Sequence, residues 1–282
     1  MVTLEAGKYG VRAVVRSPLS ESDLQELLST QVAELELNDG KGWRGTDLSF
    51  LERLPHLKSL KIIDLRIQAV DGIHTLHELR ALEVITYCRS AIEFATFPCL
   101  EECSIHWRPR AASIFGCATL KRLFIDGYDG RDVTAFGQLS KLESLAILNA
   151  PLESLQGVGS LTKLRKLRLG NLKRLRSLVG IEGLWSLEEL DINTCPAIHS
   201  IDQVSQLAEL KILLLNNVGD IESLKPLARL EKLETVLFYE STNIVDGDLS
   251  PLLNKSKLSR VSFRNRRHYS QRREEFGAAY SS

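Results

Sequence analysis

Residues 142–172 read LESLAILNAPLESLQGVGSLTKLRKLRLGNL. Two copies of one six-residue pattern, apolar-x-x-apolar-x-apolar, stand in this stretch: LESLAI from Leu142 and LRKLRL from Leu164, 22 residues apart. Toward the amino terminus the pattern recurs as LKRLFI from Leu120, LEECSI from Leu100, LRALEV from Leu79, LKSLKI from Leu57 and VAELEL from Val32. Toward the carboxy terminus it continues as LEELDI from Leu187, LKILLL from Leu210, LETVLF from Leu233 and LSRVSF from Leu258. Eleven starts, 20 to 25 residues apart, make this a repeat protein.

The last two apolar residues of each unit, such as Leu167 and Leu169, are two apart and share one face of a short strand. The period then changes to three, as in Leu175, Leu178, Ile181, Leu184 and Leu187, which suits extended or 3₁₀ segments. Neither apolar row can be buried except against a neighbouring repeat, so the strands stack in parallel. At roughly 4.8 Å per strand, eleven of them span on the order of 50 Å. Residues three and five after each repeat start face the core, and those two, four and six after it face outward.

These repeats resemble the short, 22-residue class of leucine-rich repeat found in internalins and in repeat-built regulators of protein phosphatases. The resemblance runs from Val32 to Phe263. It implies an α/β repeat fold: a curved, right-handed solenoid with one parallel concave sheet, short 3₁₀ or irregular convex segments, and a function in binding. The expected organisation is an amino-terminal cap over 1–31, about eleven repeats over 32–263, and a carboxy-terminal cap or basic tail over 264–282. Within the first cap, Val11, Ala13 and Val15 alternate as a strand, and SESDLQELL from Ser20 reads as a capped helix. The asparagine usual just after the strand is irregular. Seven residues after each start stand Asp39, Asp64, Thr86, Trp107, Gly127, Asn149, Asn171, Thr194, Asn217, Glu240 and Asn265. Where that residue is Asn or Asp, a bend-stabilising role is expected.

Lysine plus arginine equal aspartate plus glutamate at 36 each, so no global charge drives the chain onto nucleic acid or an anionic membrane. Residues 20–54 carry eight acids and three bases, and residues 255–275 eight bases and two acids. The amino terminus lacks the pattern of a secretory signal and no apolar run reaches membrane-spanning length, so a cytoplasmic location without membrane association is expected. Five cysteines without a C-x-x-C pair form neither a disulfide framework nor a zinc site, and Cys103 and Cys117 fall on core positions. No G-x-G-x-x-G, Walker, H-E-x-x-H or G-x-S-x-G motif occurs, so no enzyme, cofactor or metal is expected. His74 and His77 read as solvated, and Asp126, Asp129 and Asp132 in DGYDGRD read as a glycine-rich bend rather than a calcium loop.

Two regions place apolar or aromatic residues where solvent favours polar ones. The first combines Ile63, Ile85, His106 and Phe124 on outward columns with Tyr87, Trp107, Arg108 and Tyr128 on the bends above. The second combines Ile212, Leu214, Leu237 and Tyr239, with STNIVDGDLSPLL after Tyr239 as a segment able to fold over it. Exposed aromatic and arginine residues in an apolar field make protein-binding hot spots. Lys166 and Arg168 beside Glu189 and Asp191 read as mutually neutralising pairs. The expected function is a non-enzymatic scaffold that binds a protein on its concave face, sequestering a toxin or regulating an enzyme. The alternative is nucleic-acid binding through the basic end at Arg264, Arg266, Arg267, Arg272 and Arg273.

Overall fold

A computed structural model describes residues 1–276. The six residues that end the expected basic tail, 277–282, lie outside the described residues. The chain forms two compact units, Met1–Ile125 and Asp126–Ser282.

The first unit opens with an antiparallel pair, β1 (Val2–Ala6) and β2 (Val11–Val15). The helix α1 (Glu21–Ser29) follows as the sequence implies, its first turn closed by a capping box between Ser20 and Asp23. Parallel strands then succeed one another: β3 (Glu34–Asn38), β4 (Ser59–Ile63), β5 (Ala81–Ile85) and β6 (Glu102–His106), with β2 pairing in parallel to β3. β7 (Arg122–Asp126) carries the boundary between the units. The sequence reading missed β1, whose side chains are mostly exposed and carry no repeat pattern.

The second unit repeats the arrangement with β8 (Ser144–Leu148), β9 (Lys166–Gly170), β10 (Glu189–Asn193) and β11 (Ile212–Asn216). Two short strands, β12 (Asp220–Ile221) and β14 (Asn243–Ile244), pair with each other on the return side. The main strands end with β13 (Thr235–Tyr239) and β15 (Arg260–Phe263). The period-three segments are short 3₁₀ turns such as Ile181–Gly183 and Asp202–Gln206, and every apolar residue of the quoted rows from Leu175 to Leu187 is buried. Phe263 stacks on Phe238 with centroids 4.8 Å apart, and Tyr269 and Phe276 meet Phe263 edge-on, covering the last coil.

The residue seven after each repeat start has a backbone role in the second unit. Asn149, Asn171, Thr194, Asn217 and Glu240 all have φ between 52° and 56°, and Gly127 has φ 76°. The N–H of this residue reaches the carbonyl ending the next strand, as that of Asp64 does in the first unit, and the left-handed φ then turns the following chain away from the strand direction. Gly127 donates to Leu148, Asn149 to Gly170, Asn171 to Asn193 and Thr194 to Asn216, at 2.8 to 2.9 Å. Asparagine and glycine tolerate that region best. The asparagine side chains add a second ladder: Asn171 Nδ2 donates to Asn149 Oδ1, and Ser241 Oγ to Asn217 Oδ1 at 2.8 Å.

Leu167 is 1% exposed, in register between Leu145 and Leu190, so Leu167→Ala should cost about 2–5 kcal/mol in chemical denaturation. Glu240 makes the same left-handed turn without the tolerance of asparagine or glycine, so Glu240→Gly should stabilise by about 0.5–1 kcal/mol. A loss of stability there would show that its side chain, rather than its backbone angle, is what the bend requires.

Candidate functional site

In the first unit the strand registers align the outward residues into rows. Ile63 stands opposite Ile85, each half-buried, while Leu60 and Leu82 in the alternate positions are buried. His106 on β6 and Phe124 on β7 are half-buried on outward positions of their own strands. Above them, Tyr87 is 72% exposed, one of the most exposed large apolar side chains of the described residues. Trp107 lies partly inward, its ring 5.8 Å from that of Phe115.

Two residues assigned to this surface are withdrawn from it. Arg108 is only 4% exposed. Its Nε donates to the His106 carbonyl at 3.2 Å, Nη2 to Thr86 Oγ1 at 3.3 Å, and Nη1 reaches Cys88 Sγ at 3.8 Å. Arginine is long enough to fold back under its own bend, and there it replaces backbone partners. Tyr128, on the second unit, is 6% exposed and packs edge-on against Phe136 at 5.2 Å. Burial pushes its phenol upward. Sequence position alone gave both residues as rim groups, because a bend residue's direction depends on φ and on its neighbours.

The bends of the first unit differ from those of the second. Asp64, Thr86 and Trp107 stand outside the left-handed region, and Asp64 and Thr86 are buried. Asp64 accepts from the Arg66 backbone N–H at 2.9 Å and pairs with its guanidinium at 2.9 Å. Thr86 Oγ1 lies 3.1 Å from Cys88 Sγ, and Ser90 Oγ 3.6 Å from the same sulfur. Burial opposes ionisation of Cys88, but these hydrogen bonds and the Arg108 charge outweigh it and hold the thiol below its ordinary value. Burial in turn pushes Arg108 downward.

The second region lies within the second unit. Ile212, Leu214 and Leu237 are half-buried, Leu214 stands opposite Leu237, and Tyr239 is 37% exposed. The segment after Tyr239 does not cross this face. Thr242 is buried, with Oγ1 accepting from the Val218 N–H at 3.0 Å and donating to the Leu215 carbonyl at 2.9 Å, and Ile244 pairs with Ile221 on the return side. The neighbouring ion pairs form as the columns imply, Lys166 with Glu189 at 2.8 Å and Arg168 with Asp191 at 3.3 Å.

Of the two histidines read from sequence, His74 is structural. His74 bridges the Asp71 carbonyl and the Glu93 N–H, both at 3.0 Å, and stacks on Phe97, so it is built in rather than solvated. No group of three or more metal-ligating side chains occurs among the described residues, and no helix there is long and apolar enough to cross a membrane. The basic stretch is partly spent on packing. Arg266 donates to the Thr242 carbonyl, His268 meets the Ile244 carbonyl, and the buried Tyr269 hydroxyl accepts from the Ile244 N–H at 3.0 Å.

No family model and no curated protein matches the chain. Solved structures do. An internalin, InlF, of Listeria monocytogenes is similar with a TM-score of 0.66 at 20% identity, over 88% of this chain and 78% of its own. A leucine-rich-repeat protein of Leptospira interrogans matches with a TM-score of 0.58 at 18% identity, over 90% of this chain and 77% of its own. The chain has the leucine-rich-repeat fold. In leucine-rich-repeat terms, Ile63, Ile85, His106 and Phe124 are strand residues pointing away from the core, and Tyr87 and Trp107 belong to the bends that follow. Trp185, 65% exposed, and Val179, 57% exposed, lie on return segments that the column reading did not address.

The Cys88 cluster yields a pH dependence. Its folded-state thiol is depressed, so its stabilisation is complete above the unfolded thiol's value and is lost as pH falls through the folded value. Unfolding free energy should therefore rise with pH across that window. The pH midpoint for alkylation of Cys88 should move upward in Arg108→Leu, and an unchanged midpoint would remove the arginine from the cause.

Proposed function

We propose that this leucine-rich-repeat protein is a non-enzymatic scaffold that binds a partner protein on its outward strand face. The observation that carries the reading is Tyr87, a 72% exposed aromatic beside the half-buried pair Ile63 and Ile85 in the first unit. His106, Trp107 and Phe124 add surface of the same character. Large aromatic residues rimming an apolar field supply most of the binding energy of protein interfaces, because they bury wide area at low entropy cost. The region of Ile212, Leu214, Leu237 and Tyr239 offers a second contact of the same kind. Arg108 supports the bend that carries Tyr87 from beneath, through Thr86 and Cys88. The use we assign to such binding is control by capture, holding a toxin or an enzyme in check.

Nucleic acid is the second reading, favoured by the exposed Arg264, Arg267, Arg272 and Arg273. Against it, Tyr269 is packed inside rather than presented for stacking. Phosphate binding would weaken steeply with salt, whereas capture through an aromatic field would not.

Affinity capture with the full chain, followed by mass spectrometry and titration of the recovered protein, tests the reading. Tyr87→Ala and Phe124→Ala should each cost the complex about 2 kcal/mol or more while thermal melting stays close to that of the parent chain. Undiminished affinity in both variants would reject this surface, and a bound nucleic acid released by moderate salt would favour the second reading.

A further inference from the structure

The turn over residues 7–10 joins β1 to β2 and is closed by the Gly7 N–H donating to the Gly10 carbonyl at 2.8 Å. β1 already covers the open edge of β2 by main-chain pairing, so capping needs nothing further from this turn. The turn nevertheless leans across the outward face of the following strands. The Tyr9 N–H donates to the Glu34 carboxylate on β3. The Tyr9 hydroxyl reaches Glu102 Oε1 on β6 at 3.2 Å, and the Lys8 ammonium pairs with the same carboxylate. Lys8 Nζ also lies 4.9 Å from the centroid of the Tyr9 ring.

The registers put Glu34, Ser59, Ala81 and Glu102 in one row at a common height across β3 to β6. Successive strands are roughly 4.8 Å apart, so a tyrosine bound through its backbone at β3 reaches β6 only by lying low over β4 and β5. Serine and alanine at those two positions leave that space. Gly7 meets the same demand, since a Cβ there would collide with the Glu34 carboxylate. Beside the strap a groove of about 240 Å³ crosses the same four strands, lined by Glu34, Glu36, Glu83 and Glu102, of which Glu36 pairs with Arg12 and Lys41, Glu83 with Lys61, and Glu102 with Arg122 as well as Lys8.

We propose that this row is a docking site for a protein segment that presents a cation beside an aromatic ring, and that the chain's own Lys8 and Tyr9 fill it as a displaceable strap. The two glutamates fix the segment's backbone and its cation, and the small residues between them seat the ring. The proposal takes from the function proposed above only that the partner is a protein, and it uses the residues two after each repeat start, whereas Phe124 stands four after its start and Tyr87 on a bend. A strap in cis lowers the apparent affinity for such a segment by the fraction of molecules in which the row is open.

The test uses the full ¹⁵N-labelled chain titrated with a cyclised peptide of residues 2–15, VTLEAGKYGVRAVV. In K8S/Y9S the strap loses its side-chain hold on Glu102 and keeps only the backbone N–H of residue 9 on Glu34, and the peptide should bind saturably with shifts at Ser59, Ala81 and Glu102, at least tenfold more tightly than to the parent chain. Adding Glu102→Gln to that variant should weaken binding at least threefold. If K8S/Y9S melts too low for titration, Lys8→Gln alone keeps the ring and should faster expose the Tyr9 amide to hydrogen exchange. Equal peptide affinity for the parent and released chains, no binding to the released chain, or unchanged Tyr9 exchange in Lys8→Gln would overturn the proposal. Tyr87→Ala and Phe124→Ala should leave peptide binding unaltered, so a failure of the aromatic surface is told apart from a failure of this row.

Discussion

Each coil of this chain presents an apolar row that it cannot bury by itself, and the contact with the next coil is therefore the condition for any structure at all. In the second unit that contact is fixed twice. Leu145, Leu167 and Leu190 stand in register in the core, and just past the strands the left-handed bend residues donate their N–H groups to the carbonyl that ends the following strand. Each of these bonds exchanges a water contact for a tie to the next coil, a net gain of about 0.5–1.5 kcal/mol. Strand spacing, register and the direction of every outward side chain follow from these two contacts.

The first unit relaxes the bend rule, and the aromatic surface lies where it does so. Asp64 and Thr86 turn inward, with Arg66, Cys88 and Arg108 supplying hydrogen bonds from side chains. The residue after Thr86 is then directed outward, and it is Tyr87. The arrangement offers no group of three or more metal-ligating side chains among the described residues. What it offers is a set of side chains held at fixed heights on a stiff backbone, which is what recognition of another surface requires.

The repeat was legible because its period is set by hydrophobic burial, and burial leaves a mark at every copy. Core positions, the α1 capping box and the paired columns of Lys166 and Arg168 against Glu189 and Asp191 could be read for the same reason. Direction at the bends could not. Arg108 and Tyr128 look like surface groups in sequence, but a side chain with several rotatable bonds or a neighbouring glycine can fold beneath its own turn. The reach of Lys8 and Tyr9 to Glu102 was also hidden, because it joins residues more than ninety positions apart through a non-repeating segment. Its one trace was the pair of small outward residues, Ser59 and Ala81, in the row between Glu34 and Glu102.

Amide hydrogen exchange of the native protein tests the central claim, that bend N–H groups bind each coil to the next. The amides of Gly127, Asn149, Asn171 and Thr194, which donate to the next strand, should exchange as slowly as strand amides such as those of Leu167 and Leu190. Exchange of these bend amides at the rate of exposed loops, with the strands still protected, would contradict it.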